Sequence, residues 1–255
     1  MKNIGLKQVF HLLVLLVMIT INGLANALPI HGQTTGEISD RFQVYFVPAG
    51  YVFSIWGLIY LGLLGFAVYQ LLPKQRDDRR LLRIGNWFLL SCLANSLWIL
   101  LWHYEFFPLT VVVMLILLIS LIAIYLRLDI GRVQVAAITR WLVDIPFSVY
   151  LGWITVATVA NVTVLLSYWN WNGWGISAQA WAVIMLIIAA GIAAIIGFTR
   201  RDLAYDLVIV WAFVGIAVKH RATPLVAWTA GVLAVLVAVM GSISVLRRKL
   251  TLRQG

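Results

Sequence analysis

The chain predicts an all-α fold, a polytopic membrane bundle of about eight transmembrane helices, on three observations. Of its 255 residues, 63% are hydrophobic and 11% charged, against roughly 25% charged in a soluble domain, and the mean hydropathy is +0.97. The apolar residues gather in runs long enough for a bilayer core of about 30 Å, which takes about 20 residues of helix. The Lys and Arg residues sit in short bursts between those runs. Too few charges are present to cover so much apolar surface in water, which excludes a soluble globular enzyme, a disordered tail and a fibrous repeat. The lone cysteine, Cys92, excludes a disulfide scaffold and a Cys-based zinc cage. The net charge of +10 comes from the bursts, so it speaks for membrane topology and not for nucleic acid.

Eight runs stand out, at roughly 6–28, 51–72, 84–103, 109–126, 138–166, 177–198, 204–219 and 224–246. Lipid offers no partner to backbone polar groups, so the runs are read as helices. The short alternating segments of a transmembrane barrel are missing. The 138–166 run is long enough to tilt, and the 204–219 run is short. The basic residues test the count. With the N-terminus inside, the inner segments hold Lys2 and Lys7; Lys74, Arg76, Arg79, Arg80 and Arg83; Arg127, Arg132 and Arg140; Arg200 and Arg201; and Arg247, Arg248, Lys249 and Arg253. Only Arg41, Lys219 and Arg221 fall outside. This bias puts both termini in the cytoplasm, and together with the lack of an organelle presequence it points to a bacterial plasma membrane. The N-terminal run has a second reading: Lys2, Lys7, an apolar stretch and Ala25-Asn26-Ala27 also fit a cleavable signal peptide, though the run is long for one.

The outer loops differ in kind. The first, about 29–50, carries Gly32, Gly36 and Pro48. The fifth, Ser167 to Ser177, is uncharged and holds Tyr168, Trp169, Trp171 and Trp174. Such a loop reads either as an interfacial aromatic belt or as a hydrophobic lid over a site that opens outward.

Motifs for nucleotide binding, zinc hydrolysis or nucleophilic catalysis are missing, and His11, His31, His103 and His220 are scattered. What remains is tryptophan, with twelve in the chain. In the third span Trp87, Ser91, Asn95, Trp98 and Trp102 fall on one face at 3.6 residues per turn. Tyr150, Trp153, Ala157 and Asn161 do so in the fifth, and Phe53, Trp56 and Tyr60 in the second. An Asn at hydrocarbon depth turns toward protein, so Asn95 and Asn161 aim the stripes inward. Ala157 leaves room between flat aromatic walls, which suits a planar apolar ligand. Simple helix packing, with Asn as glue and Trp as filler, accounts for the same pattern. Asp144 has Arg140 one turn before it, in reach of a local ion pair. Asp206 is expected at the interface, and His103 and Glu105 mark the outer end of the third span. Gly57, Gly62 and Gly65, and Gly191, Ala194 and Gly197, suggest close helix approaches.

Three segments resemble the TspO/MBR family, the tryptophan-rich sensory or translocator proteins. Pro48-Ala49-Gly50-Tyr51-Val52-Phe53-Ser54-Ile55-Trp56-Gly57-Leu58-Ile59-Tyr60 is similar to the family's P-P-G-W-V-F-x-x-W-x-x-L-Y. Asn95-Ser96-Leu97-Trp98 with Pro108 is similar to its third helix and following loop. Tyr150-Leu151-Gly152-Trp153 with Ala157 and Asn161 is similar to P-Y-L-x-W-x-x-F-A-x-x-L-N in its fifth helix. The sequence departs at Ala49, Tyr51, Val149 and Val156, and it lacks a basic residue soon after the fifth helix. The resemblance covers 1–166 and implies a five-helix domain there, leaving 167–255 as an extension of three helices with a short basic tail.

The resemblance implies an outward-half pocket for porphyrins, haem-pathway intermediates and sterol-like ligands. Transferred by position, the ligand-binding residues are Tyr51, Trp56, Asn95, Trp98, Tyr150, Trp153, Ala157 and Asn161. The expected ligand is a tetrapyrrole, protoporphyrin or haem. No resident cofactor, metal site or catalytic residue is assigned. The expected partners are the lipid bilayer and a hydrophobic small molecule, without nucleic acid, and a homodimer stays open. The alternatives are light-dependent porphyrin breakdown, with Trp56 and Trp153 handling the excited state, and a membrane transporter or scaffold that binds no tetrapyrrole.

Overall fold

The computed structural model describes residues 5–28 and 30–251. Of the basic residues assigned to the termini, Lys2 and Arg253 lie outside it, as do the side chains of Arg247, Arg248 and Lys249. The described chain is helical throughout. α1 (Leu6–Ala27) leads through a 3₁₀ turn to the short α2 (Thr35–Asp40). A second 3₁₀ turn, Gly50–Ser54, runs into α3 (Ile55–Tyr69). Then come α4 (Arg79–Leu82), α5 (Gly85–His103) and α6 (Phe107–Arg127). The single turn α7 (Ala137–Thr139) passes through a π-turn at Arg140–Asp144 into α8 (Ile145–Tyr168). α9 (Ala178–Arg200), α10 (Leu203–Lys219) and α11 (Pro224–Thr251) complete the bundle.

Each of the eight apolar runs holds a helix. Among the described residues seven stretches are long and apolar enough to cross a membrane. The eighth run is α10, whose 17 residues reach about 26 Å at 1.5 Å per residue, short of a full span. It packs against α8, α9 and α11, so neighbouring helices cover much of its surface.

Local chemistry sets the helix ends. Pro108 occupies the first turn of α6, where a missing N–H costs nothing, and Pro146 directly follows the π-turn that leads into α8. Ser177 and Asp202 cap α9 and α10 by accepting from Ala180 N and Tyr205 N. The long first loop, which carries no helical periodicity, contains a short helix. α2 opens on a capping box: Thr34 Oγ1 accepts from Glu37 N, and Glu37 Oε2 accepts from Thr34 N.

The bundle has two distinct ends. At one, Gln8 reaches Arg76 O, His11 meets Gln70, and Arg200 pairs with Asp129 at 2.9 Å. This basic end collects most of the Lys and Arg bursts. At the other, Trp102 Nε1 donates to Thr35 O, and Lys219 pairs with Asp40. This loop end carries the 28–54 segment.

One charged residue pairs differently from the sequence expectation. Asp144 pairs with Arg80, not Arg140: Arg80 Nη2 lies 2.6 Å from its Oδ1, and Arg80 Nε holds Leu128 O at 2.7 Å. Arg140 sits on the exposed side of the π-turn. Asp206, in the first turn of α10, is buried at 2% exposure, with its carboxylate against Gly197 of α9 and Gly241 of α11, where an added Cβ would come within 2.7 and 2.9 Å of Oδ2. Of the small-residue contacts, Gly62 and Gly65 meet Pro146 and Leu142 closely, whereas Gly57 and Gly191 face open space.

Candidate functional site

α3, α5 and α8 present their polar–aromatic stripes to one another. Aromatic contacts join α3 and the turn before it to α8: Trp56 meets Trp153 and Tyr150 edge-on at 6.2 and 6.0 Å, and Phe53 meets Trp153 edge-on at 5.7 Å, while within α3 Trp56 stacks on Tyr60 at 5.6 Å. On α5, Trp98 stacks on Trp102 at 5.4 Å. Between these rings lies a narrow cavity of about 40 Å³, bordered by Trp56, Trp98, Trp153, Ala157 and Asn161 and closed from the loop end by Thr35, Ser39 and Pro48. That volume suits a water molecule or so and no drug-sized ligand.

A second cavity of about 360 Å³ adjoins it and shares Thr35, Phe53 and Trp56. Its walls are more polar, with Asn22, Asn26, Thr34 and Glu37 among them. Glu37 sits at this mouth, and the Thr34 backbone N–H and hydroxyl hold its carboxyl below the usual carboxylate range.

The Asn residues brace the walls. Asn161 Oδ1 accepts from Trp98 Nε1 at 3.0 Å and its Nδ2 donates to Thr110 Oγ1 at 2.8 Å. Asn95 Oδ1 accepts from Asn22 Nδ2 at 2.7 Å, and Asn95 Nδ2 donates to the Tyr150 hydroxyl at 2.9 Å. Both amides are therefore engaged within the protein. Trp153 differs: its Nε1 is buried with no hydrogen-bond partner, on a residue that lines the small cavity. An unsatisfied buried donor costs about 1–3 kcal/mol.

The sequence model of the TSPO-like protein family matches residues 8–243. The chain belongs to the TSPO-like family. The match runs through α9 and α10 and into α11, so it takes in the C-terminal helices as well as the five-helix segment. Neither the curated proteins nor the solved structures gave a match.

In this TSPO-like protein, Trp56, Trp98, Trp153, Ala157 and Asn161 converge on the small cavity. Asn95 and Tyr150 stand behind it as a hydrogen-bonded support. Tyr51 is not brought to the site: it is 47% exposed and packs edge-on against Trp211 of α10 at 5.4 Å. The sequence reading missed Thr35, Ser39 and Asn22. Asn22 was legible as a polar residue within an apolar run, and Thr35 follows the Thr34-x-x-Glu37 capping signature.

The Trp-rich loop does not close this cavity. Tyr168 packs on Phe107 at 5.1 Å. Trp171 and Trp181 instead wall a separate apolar cavity of about 440 Å³ between α8 and α9. Trp169 and Trp174 are exposed, as interfacial aromatics are. His11 and His103, each with an unpartnered Nε2, lie at opposite ends of the bundle and do not converge on one metal.

Proposed function

We propose that this TSPO-like protein binds a planar, mostly apolar ligand, a porphyrin in the first instance, between α3, α5 and α8 at the loop end, and acts as a sensory or translocator-type protein. The observation that carries the reading is Trp153: a buried ring in a frame of edge-on and stacked aromatics, whose Nε1 is left without an acceptor on a cavity wall. Aromatic faces would stack the ligand, and an acceptor on its edge would take the N–H. The two cavities are separated by residues they share, Thr35, Phe53 and Trp56. The larger cavity alone falls in the range of about 300–1,000 Å³ typical of ligand pockets, but Trp153 borders only the small one, so a ligand that meets its N–H has to displace Thr35 and Phe53 between them. Binding therefore involves movement of the 28–54 segment. In this reading the basic end is the cytoplasmic face, an orientation that the bias of basic residues supports, and the site lies in the opposite half of a bacterial plasma membrane.

The test is a dark titration of the purified protein with protoporphyrin IX, followed by Trp fluorescence quenching. Saturable quenching is expected. Trp153→Ala should weaken binding by about 1–3 kcal/mol, and Trp153→Phe by less, because it keeps a ring. Linear quenching that ignores both variants would mean partition into detergent and would remove the proposal.

A further inference from the structure

A larger recess shares no lining residue with the two cavities of the aromatic site, although at one end it reaches Ser54 and Ile55 beside them. It has a volume of about 1,020 Å³ and runs between α3, α8 and α10. Its floor is formed where the 128–135 loop passes beneath the end of α9. Gly131 makes that pass possible: its φ is +81°, and a Cβ there would fall 1.9 Å from Arg200 O. From this floor the recess climbs past Leu207 toward Trp211 and Leu58. Leu203 to Trp211 alone covers about 12 Å of helix. Leu58 and Leu207 are 59% and 52% exposed, so the groove opens sideways to whatever surrounds the helices.

The charges in this groove are uneven. The acidic side chains are engaged: Asp144 by Arg80 at 2.6 Å, and Asp202 by the hydroxyls of Tyr125 and Ser148 at 2.8 and 2.6 Å. The side chains of Arg140 and Arg201 are exposed and have no hydrogen-bond or ion-pair partner among the described residues. Trp141, beside Arg140, is 67% exposed, and an exposed indole next to a basic residue suits headgroup contact. One end of the groove is thus cationic, and its length is apolar and open to hydrocarbon.

We infer that this groove is a binding site for one anionic phospholipid, its phosphate held by Arg140 and Arg201 and an acyl chain lying along Leu58, Leu207 and Trp211. The inference is independent of the porphyrin site. Arg pairs suit phosphate because the guanidinium presents several donors in a fixed plane. Basic pockets between membrane helices select anionic headgroups, and a free phosphate would leave the apolar length of the groove unused.

The experiment reconstitutes the full chain in phosphatidylcholine bilayers doped with phosphatidylglycerol, then counts the lipids retained on the protein by native mass spectrometry. Wild type should keep phosphatidylglycerol in preference to phosphatidylcholine. Each basic residue near an anionic headgroup strengthens association about fivefold, so Arg140→Gln with Arg201→Gln should lower that preference about thirtyfold. Leu207→Trp, which fills the groove and leaves both arginines, should lower it too, and it carries the test if the double variant fails to fold. Arg83→Gln, at the same end but outside the groove, should change nothing. Equal loss in Arg83→Gln would mean diffuse surface attraction. Displacement of the lipid by inorganic phosphate, with Leu207→Trp silent, would mean a phosphate site without a chain groove. Either result overturns the proposal.

Discussion

Asn22 of α1 donates to the amide oxygen of Asn95 on α5 at 2.7 Å, and the two side chains are 4% and 0% exposed. Asn95 extends the link by donating to Tyr150 on α8 at 2.9 Å. Asn22 is itself anchored, sharing its Nδ2 with Met18 O at 2.9 Å. Three helices are thereby tied at a depth where lipid offers no hydrogen bond, directly behind the aromatic walls of the candidate site.

The link makes a thermodynamic prediction. Asn22→Leu leaves the Asn95 oxygen without its donor and should cost about 0.6–2 kcal/mol, the scale of interhelical hydrogen bonds in membranes. Asn22→Leu combined with Asn95→Leu should cost less than the sum of the two single changes, because the stranded oxygen is removed with its donor. Reversible unfolding in mixed micelles measures both. Strict additivity would show that the two amides are not coupled.

The Arg80–Asp144 pair makes the second. Its side chains are 16% and 9% exposed, and breaking a buried pair costs about 3–5 kcal/mol when one charge is stranded. Asp144→Ala should fall near the lower end, since Arg80 keeps Leu128 O. Arg140→Gln should stay within about 0.5 kcal/mol. The same unfolding assay distinguishes the partners: a large effect at Arg140 and a small one at Arg80 would restore the local pairing.

That pair also shows where sequence reasoning stops. The eight apolar runs each become a helix because length and apolarity are local properties of the chain. Trp98, Trp153 and Asn161 turn inward for a reason that is nearly local too, since polar groups avoid lipid. The choice of partner is different. Arg140 is the neighbour of Asp144 along the helix, but Arg80, 64 positions away, reaches it with a guanidinium that also holds Leu128 O after α6, and no periodicity encodes that placement. Tyr51 follows the same logic: its motif position suggested the pocket, whereas Trp211 of α10 gives its ring a partner on the outer side.

The capping box on α2 gives a pH-dependent prediction. Thr34→Ala removes the cap and should speed hydrogen exchange of the 35–40 amides about fivefold at neutral pH. The hydrogen bonds from Thr34 depress the Glu37 carboxyl. A group with a folded pKa below its unfolded value stabilises above the unfolded value, and that contribution is lost as pH falls through the folded one. Wild-type α2 should therefore loosen only in acid, and Glu37→Gln should flatten that transition. An identical acid transition in Glu37→Gln would assign it to another group.

The last prediction concerns how α10 controls the site. Ala49 N donates to Gly215 O at 3.1 Å, and Trp211 Nε1 donates to Val52 O at 3.1 Å. A Cβ on Gly215 would lie 2.2 Å from Val52 Cγ2 and 3.1 Å from Pro48 Cβ. The 48–54 turn is thus held flat against α10, and that turn carries Phe53, a wall of both cavities. Gly215→Ala should push the turn away, cost about 1–3 kcal/mol as overpacking does, and weaken protoporphyrin binding, although residue 215 lines neither cavity. Adding Val52→Ala removes the methyl in the way and should recover both stability and affinity. Unfolding and the dark titration read the two effects separately. Recovery of stability without recovery of affinity would show that the clamp serves the fold and not the site, because the turn would then be back in place with the ligand still indifferent to it.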